Sequence, residues 1–172
     1  PGLVVDLNDG KLQFSIITRW IAGVGAIETL DPMAPGEWVH VTLTNDGSQS
    51  ATGMQIMLNG TPTTTRIVHN TNSNVIKPAK GARLFVGGGV VGKKFVGTVD
   101  DLRIYDLTLR PDEAAILAEP DSLESIAAKK PLTRDAAEVA KWQHYFLSII
   151  ADEPLAQFEA AIHTAWMERQ AF

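Results

Sequence analysis

The run Phe95-Val-Gly-Thr-Val-Asp-Asp-Leu-Arg-Ile-Tyr-Asp-Leu-Thr-Leu-Arg-Pro-Asp-Glu-Ala-Ala-Ile-Leu117 constrains the fold most, because it reads first as a strand and then as the start of a helix. Apolar Val99, Leu102, Ile104 and Leu107 interleave with polar Asp101, Arg103 and Asp106. The alternation breaks at Asp100-Asp101, as in a half-buried strand carrying a bulge. Pro111 is preset for a first helical turn, and Asp112-Glu113 suit a helix N-terminus, so a short helix through Ala114, Ile116 and Leu117 is expected to pack back on the strand.

The chain changes character after this run. All 14 glycines lie at or before Gly97, whereas 11 alanines follow Ala118. Turn-rich, β-branched sequence therefore gives way near Glu119-Pro120 to helix formers. Two regions are expected: a β domain over 1–118 and an α-helical extension over 119–172, which could also begin a following domain. The charge divides with them, 10 basic against 11 acidic groups before the boundary and 5 against 9 after it.

Within the first region, Gly2–Leu7 and Lys11–Ile17 flank Asn8-Asp9-Gly10, and Met54–Leu58 runs into Asn59-Gly60 with Thr63–His69 as the return strand. Both are hairpin signals. Between them lie Ala26–Leu30 and Trp38–Thr44; in the latter, Trp38, His40, Thr42 and Thr44 alternate with Val39, Val41 and Leu43. Asparagines at 70, 72 and 74 mark a loop before Arg83-Leu-Phe-Val86.

Three ordered motifs carry a family likeness. Gly36-Glu-Trp-Val-His-Val is similar to a "G-x-W-x-H-V" strand leading to the Asn59-Gly60 hairpin, and Leu84-Phe-Val-Gly87 to an "L-x-I-G" strand. Phe95-x-Gly-x-x-Asp-Asp-Leu-Arg-Ile-Tyr-Asp is similar to a closing segment. Together they resemble laminin-G-like, concanavalin-type jelly rolls of the lectin/glucanase superfamily. Arg110 departs from the pattern, standing where that family caps the helix with Ser; Arg cannot accept a bond from the first-turn N–H groups. The resemblance implies a mainly β, antiparallel concanavalin-type sandwich. The pattern begins in mid-module, so the family's opening strands are missing, and an exposed edge is expected that the tail, upstream sequence or a second copy of the chain would cover.

The extension reads as helices. Thr133 is expected to cap Arg134–Ala151, with Val139, Trp142, Phe146, Ile149 and Ile150 as an apolar stripe. A second helix from Pro154 carries Leu155, Phe158, Ile162, Ala165 and Trp166, and the two stripes are expected to face each other. The string Thr133-Arg-x-x-Ala-Glu-x-Ala-Lys-x-x-x-Tyr-Phe-Leu147 resembles the junction in planctomycete-type multidomain proteins, which carry a cytochrome-c-like domain upstream. That likeness implies a piece of an exported bacterial protein, extracellular or periplasmic.

Several chemistries are set aside. Cysteine is absent, so no disulfide or thiolate site forms. The net charge of −5 argues against a nucleic-acid partner, and no run has the roughly 18 apolar residues of a membrane span. Glu119-Pro-Asp-Ser-Leu-Glu124 spells the E-x-D-x-x-E of some glucanases, whose acids alternate on one strand. Pro120 and the expected cap Asp121-Ser122 contradict that context, and no catalytic residue is assigned. Gly87–Lys94 matches phosphate-loop spacings but precedes a strand-like run rather than a helix, so a turn is expected. His40, His69, His144 and His163 lack metal-ligand spacing, and no cofactor is assigned. Asp100 and Asp101 are calcium candidates, with loop N–H groups and Arg103 as competing partners.

For ligand recognition the candidates are Trp20 as a stacking platform and Asn45, Asp46, Asn70, Asn72 and Asn74, whose side chains match sugar hydroxyls. Core packing of Trp20 and turn formation by the asparagines are the competing readings. The expected function is a non-catalytic module that docks carbohydrate or a protein surface. A structural spacer is the alternative, and a glycoside hydrolase rests only on the Glu119 motif.

Overall fold

Asp9 and Gly10 both take positive φ, 50° and 81°, and so do Asn59 and Gly60, 48° and 75°. Two successive positive angles define the two-residue turn whose twist matches antiparallel strands, which is why an Asx-Gly pair stands at each place. The turns close β1 (Gly2–Asn8) on β2 (Lys11–Arg19) and β5 (Met54–Leu58) on β6 (Thr61–Pro62). With β3 (Gly23–Thr29), β4 (Val41–Asn45) and β7 (Thr65–Asn70) they form two antiparallel sheets, ordered β1-β2-β3-β7 and β4-β5-β6. This computed structural model describes residues 2–19, 23–71, 81, 83–88, 94–150 and 153–170.

The sheets meet through alternate residues. Leu12, Phe14 and Ile16 of β2, Ile27 of β3, and Met54 and Ile56 of β5 form one buried cluster with Ala51, against which Met33, Val41, Leu43 and Leu58 pack. Burying such side chains contributes roughly 1.5–3 kcal/mol each. The result is the expected β-sandwich.

Local features depart from the sequence expectation in informative ways. The return strand after Asn59-Gly60 is split: Thr61-Pro62 completes the hairpin, while Thr65–Asn70 crosses to the other sheet and pairs with β3. Thr63 still donates its N–H to the Ile56 carbonyl at 3.0 Å, and the next carbonyl, that of Thr64, already accepts the Leu30 N–H at 3.1 Å, so the chain changes sheets between Thr63 and Thr64. Trp38 lies outside β4 and is 71% exposed. Neither 83–86 nor 95–107 is paired as a strand among the described residues, although both carry strand-like sequence. Alternation alone does not make a strand, because the backbone also needs a ladder partner. At the expected bulge, Asp101 adopts φ 50° and its carboxylate grips the Arg103 fork at 2.8 and 2.7 Å, which ends any extended run at Leu102.

The helix expected after Pro111 is α1 (Pro111–Ala118), with Ala114 buried. Its cap is half a capping box: Glu113 accepts the Arg110 N–H at 2.8 Å, while the Arg110 guanidinium turns to Asp112. α1 seats on the Asn59-Gly60 turn, where a Cβ on Gly60 would stand 2.8 Å from the Ala115 Cα.

Beyond it come α2 (Leu123–Ala128), capped by Ser122, then α3 (Ala136–Tyr145) and α4 (Glu153–Gln170). Asp135, not Thr133, caps α3, in a reciprocal box with Glu138 at 2.9 and 2.8 Å; Thr133 instead ends a short turn by bonding the Lys130 carbonyl. α3 packs on α1 and α2. The expected facing of the α3 and α4 stripes is met only in part: Leu155 and Phe158 stay exposed, while Ile162 borders a cleft with Ala140 and Leu147. Phe146–Ile150 forms a π-helical turn, where Ser148 bonds the His144 carbonyl at 2.7 Å.

Candidate functional site

The sequence candidates converge where β4 ends. Asn45 closes β4, opposite Met54, and its carbonyl accepts the Thr108 hydroxyl at 2.7 Å. From there the chain loops through residues 46–50 into a 3₁₀ turn, Ala51–Gly53. Asp46 folds the loop on itself: its carboxylate accepts the Ser48 N–H at 2.9 Å, and its own N–H reaches the Gly53 carbonyl at 3.0 Å. A side chain at Gly53 would collide with the Asp46 carboxylate, so the loop closes only on a glycine.

Asn70, at the end of β7, holds this loop from the other sheet. Its amide oxygen accepts the Ala51 N–H at 2.8 Å and the Ser50 hydroxyl at 3.3 Å, and Ser50 also meets the Thr52 hydroxyl at 2.8 Å. The clamp leaves Ser48, Thr52, Asn70 and Thr71 exposed side by side at one rim of the sandwich. With its oxygen engaged, Asn70 offers its NH2 as a donor, and the Ser48 and Thr52 hydroxyls can donate and accept, while the Thr71 hydroxyl is bonded to the Val24 carbonyl and N–H at 3.3 and 3.2 Å. Such a set of fixed, short polar groups matches hydroxylated ligands, with the Asp46 carboxylate the one charge in the loop. The other candidates, Trp20, Asn72 and Asn74, lie outside the described residues.

A second polar surface was not singled out from the sequence. Register places Asp6, Gln13, Glu28 and Arg66 in one row on the side of the four-stranded sheet away from the core. Glu28 is almost wholly buried, and one of its oxygens accepts Arg66 Nε and Nη2 at 2.9 and 2.6 Å. Gln13 bridges Asn8 and Ser15 at 3.1 and 3.0 Å. The strands' polar alternates were the available signal.

Asp100 and Asp101, the calcium candidates, bond protein groups: Asp100 accepts the Asp101 N–H at 2.8 Å, and Asp101 holds Arg103. His40 lies close enough to this pair for its charge to be felt, yet burial is the larger influence and lowers its pKa below the usual 6.5.

The glucanase-like acids sit in the helical extension. Glu119 follows α1, Asp121 precedes α2 and Glu124 is exposed in the first turn of α2, so the three do not share a strand. Glu119, Asp121 and Glu138 are, among the described residues, the one group of three acids close enough to share a metal ion. Lys129 already occupies that position, its ammonium bonding Asp121 at 2.6 Å and also Glu138. Those two bonds, Asp121 first, raise the Lys129 pKa, and the Lys129 bond lowers that of Asp121. Lys141 adds bonds to the Glu119 and Asp121 carbonyls at 2.9 and 2.6 Å. The cluster is an ionic joint between helices. Two adjoining clefts share Ile116 and His144, the larger about 380 Å³ and also bordered by Arg110, Gln143 and Ile162.

Comparison with known proteins bears on the sandwich. The family model described as the concanavalin A-like lectin/glucanases superfamily matches residues 2–115. Among solved structures, the chain is similar to an S-layer domain-containing protein (residues 221–444) from Clostridium thermocellum ATCC 27405, at 21% identity and a TM-score of 0.42. That alignment covers 64% of this chain and 52% of the other, so the chain spans about half of it. No curated protein matches. No described helix is long and apolar enough to cross a membrane.

Proposed function

The chain belongs to the concanavalin A-like lectin/glucanase superfamily, and from that premise we propose that it is a non-catalytic binding module that takes carbohydrate at the rim formed by the 45–53 loop and Asn70. Its setting would be a larger exported bacterial protein, extracellular or periplasmic. The observation that carries this reading is the Asn70 clamp, which fixes a set of exposed hydroxyl and amide groups before any ligand arrives. Preorganised polar groups lose little entropy on binding, which suits a ligand that offers only hydroxyls. Asn72, Asn74 and Trp20 complete the proposed set. Calcium at Asp100 and Asp101 is not required, since Arg103 already neutralises Asp101.

A glycan array probed with the intact chain tests the proposal, together with Asn70→Asp. Asp at 70 keeps the oxygen that clamps Ala51 and Ser50 but removes the NH2 donor. Retention should fall about tenfold, the cost of one hydrogen bond, with thermal stability unchanged. Absence of retention on the array, or retention indifferent to both Asn70→Asp and Trp20→Ala, would overturn it.

A structural spacer is the second reading, favoured by the internal bonds that Asp46 and the Asn70 oxygen already make. Limited proteolysis separates the two, because a spacer with an orphaned tail loses the residues beyond Pro120 readily.

A further inference from the structure

The two clefts between α1, α3 and α4 both touch Ile116 and His144. The smaller, about 170 Å³, is otherwise walled by Tyr105, Leu109, Glu113 and Leu117. The larger, about 380 Å³, extends past Ala140 to Leu147 and Ile162. Ala140, Gln143 and His144 stand three and four residues apart, so they share one face of α3. A small side chain at 140 leaves open the space that a longer aliphatic one would close against Ile116. Tyr105 on the smaller cleft and Ile162 on the larger are each 43% exposed, so both clefts hold apolar surface for a guest to cover.

The polar groups at the clefts divide into engaged and available ones. Arg110 bonds both oxygens of Asp112 at 3.2 and 3.0 Å, and Glu113 accepts the Arg110 N–H at 2.8 Å. Among the described residues, the Gln143 and His144 side chains make no hydrogen bond, and both are exposed. An anionic guest would face Asp112 and Glu113, and a cationic one would compete with Arg110 for them. The available groups are a neutral amide and an imidazole, which serve a neutral donor or acceptor. The larger cleft alone falls within the roughly 300–1,000 Å³ of small-molecule sites.

We propose that the paired clefts bind an uncharged small molecule built as two apolar arms of unequal size joined by a carbonyl or hydroxyl group. One arm lies in each cleft, and the joining group meets His144, which borders both. This site shares no residue with the rim around Asn70, so either can fail without the other.

Prodan, a neutral naphthalene bearing an ethyl ketone, has this build, and its emission shifts to the blue when it leaves water. Titrated with the intact chain, it should show a saturable blue shift. His144→Leu keeps an apolar wall and removes the hydrogen-bonding ring, so the dissociation constant should rise up to about tenfold. Ala140→Phe fills the larger cleft and should raise it at least as far. His144 is exposed, so its variant keeps the test open even if Ala140→Phe fails to fold by circular dichroism. The edge strand β1, whose Leu3 and Val5 are exposed, offers the dye a competing apolar surface. Val5→Asp should leave the titration unchanged. Absence of a saturable shift overturns the proposal. So does a shift indifferent to both cleft substitutions, or one that Val5→Asp abolishes.

Discussion

The sandwich and the helical extension are held together by opposite chemistry. In the sandwich, Phe14, Ile16, Ile27 and Ile56 interlock across two sheets, and the main buried ion pair, Glu28 with Arg66, lies on the far side of the sheet from that cluster. In the extension the one buried apolar side chain among the described residues is Ile126, and a charged hub takes over: Lys129 on Asp121 and Glu138, and Lys141 on two carbonyls. Arg134 bonds the Ile126, Ala127 and Lys129 carbonyls at the end of α2 and lies over Trp142 at 5.3 Å. Hydrophobic burial is indifferent to salt at moderate concentration, whereas charge pairs weaken with it and with pH. The two halves should therefore fail under different conditions.

The sharpest break is Ile56→Ala, which empties a fully buried site between the sheets. A loss of about 2–5 kcal/mol is expected in denaturant titration, little changed by salt. A loss below about 1 kcal/mol would mean that the two sheets do not share a core.

Next comes Glu138→Gln. Glu138 is 3% exposed at its side chain and serves both Lys129 and the α3 cap, so removing its charge should cost about 2 kcal/mol. The loss should appear in the helical circular dichroism signal before the β signal, and added salt should narrow the gap between variant and parent. A salt-independent loss shared equally by both signals would erase the distinction between the halves.

Arg66→Ala should cost about 1 kcal/mol, because Arg66 is itself largely exposed while the Glu28 carboxylate it leaves behind is buried. Urea unfolding of this variant measures whether one ion pair matters in the sandwich at all.

The smallest effects are in the pH profile, and their signs follow from the shifted groups. His40 has a lowered pKa in the folded state, so the unfolded chain takes up the proton first and stability declines as pH falls through 6.5. His40→Gln should flatten that decline. Asp121 is also lowered, by Lys129, so its stabilising contribution is complete above 3.8 and is lost as pH falls through its lower folded value. Lys129→Met should remove that acid step while leaving the His40 step in place. One merged transition in the parent chain would contradict the assignment of the two groups to separate halves.

Legibility in the sequence followed the range of the interactions involved. The Asp9-Gly10 and Asn59-Gly60 turns were readable because two positive φ angles are a local demand that few residue pairs meet. So was the helix after Pro111. The departure of the chain after Thr63 was not, since which sheet Thr65–Asn70 joins depends on β3, whose pairing no local pattern encodes. The tetrapeptide Leu102–Tyr105 was readable as alternation but not as an unpaired one. Asn70 was flagged for its chemistry, while its grip on Ala51 depends on a loop far earlier in the chain. The Asp135–Glu138 box stood in the sequence and outcompeted Thr133 because it supplies two reciprocal bonds where Thr133 offers one. Lys129 was missed because its partners lie eight and nine residues away, on different elements.

Gly60 ties the two halves of the molecule to one turn. Because α1 rests on the closed Asn59-Gly60 turn at a distance only a glycine allows, any side chain there strains the hairpin and unseats the helix together. One missing Cβ is thus the point at which the all-β and all-α parts of this chain share their stability.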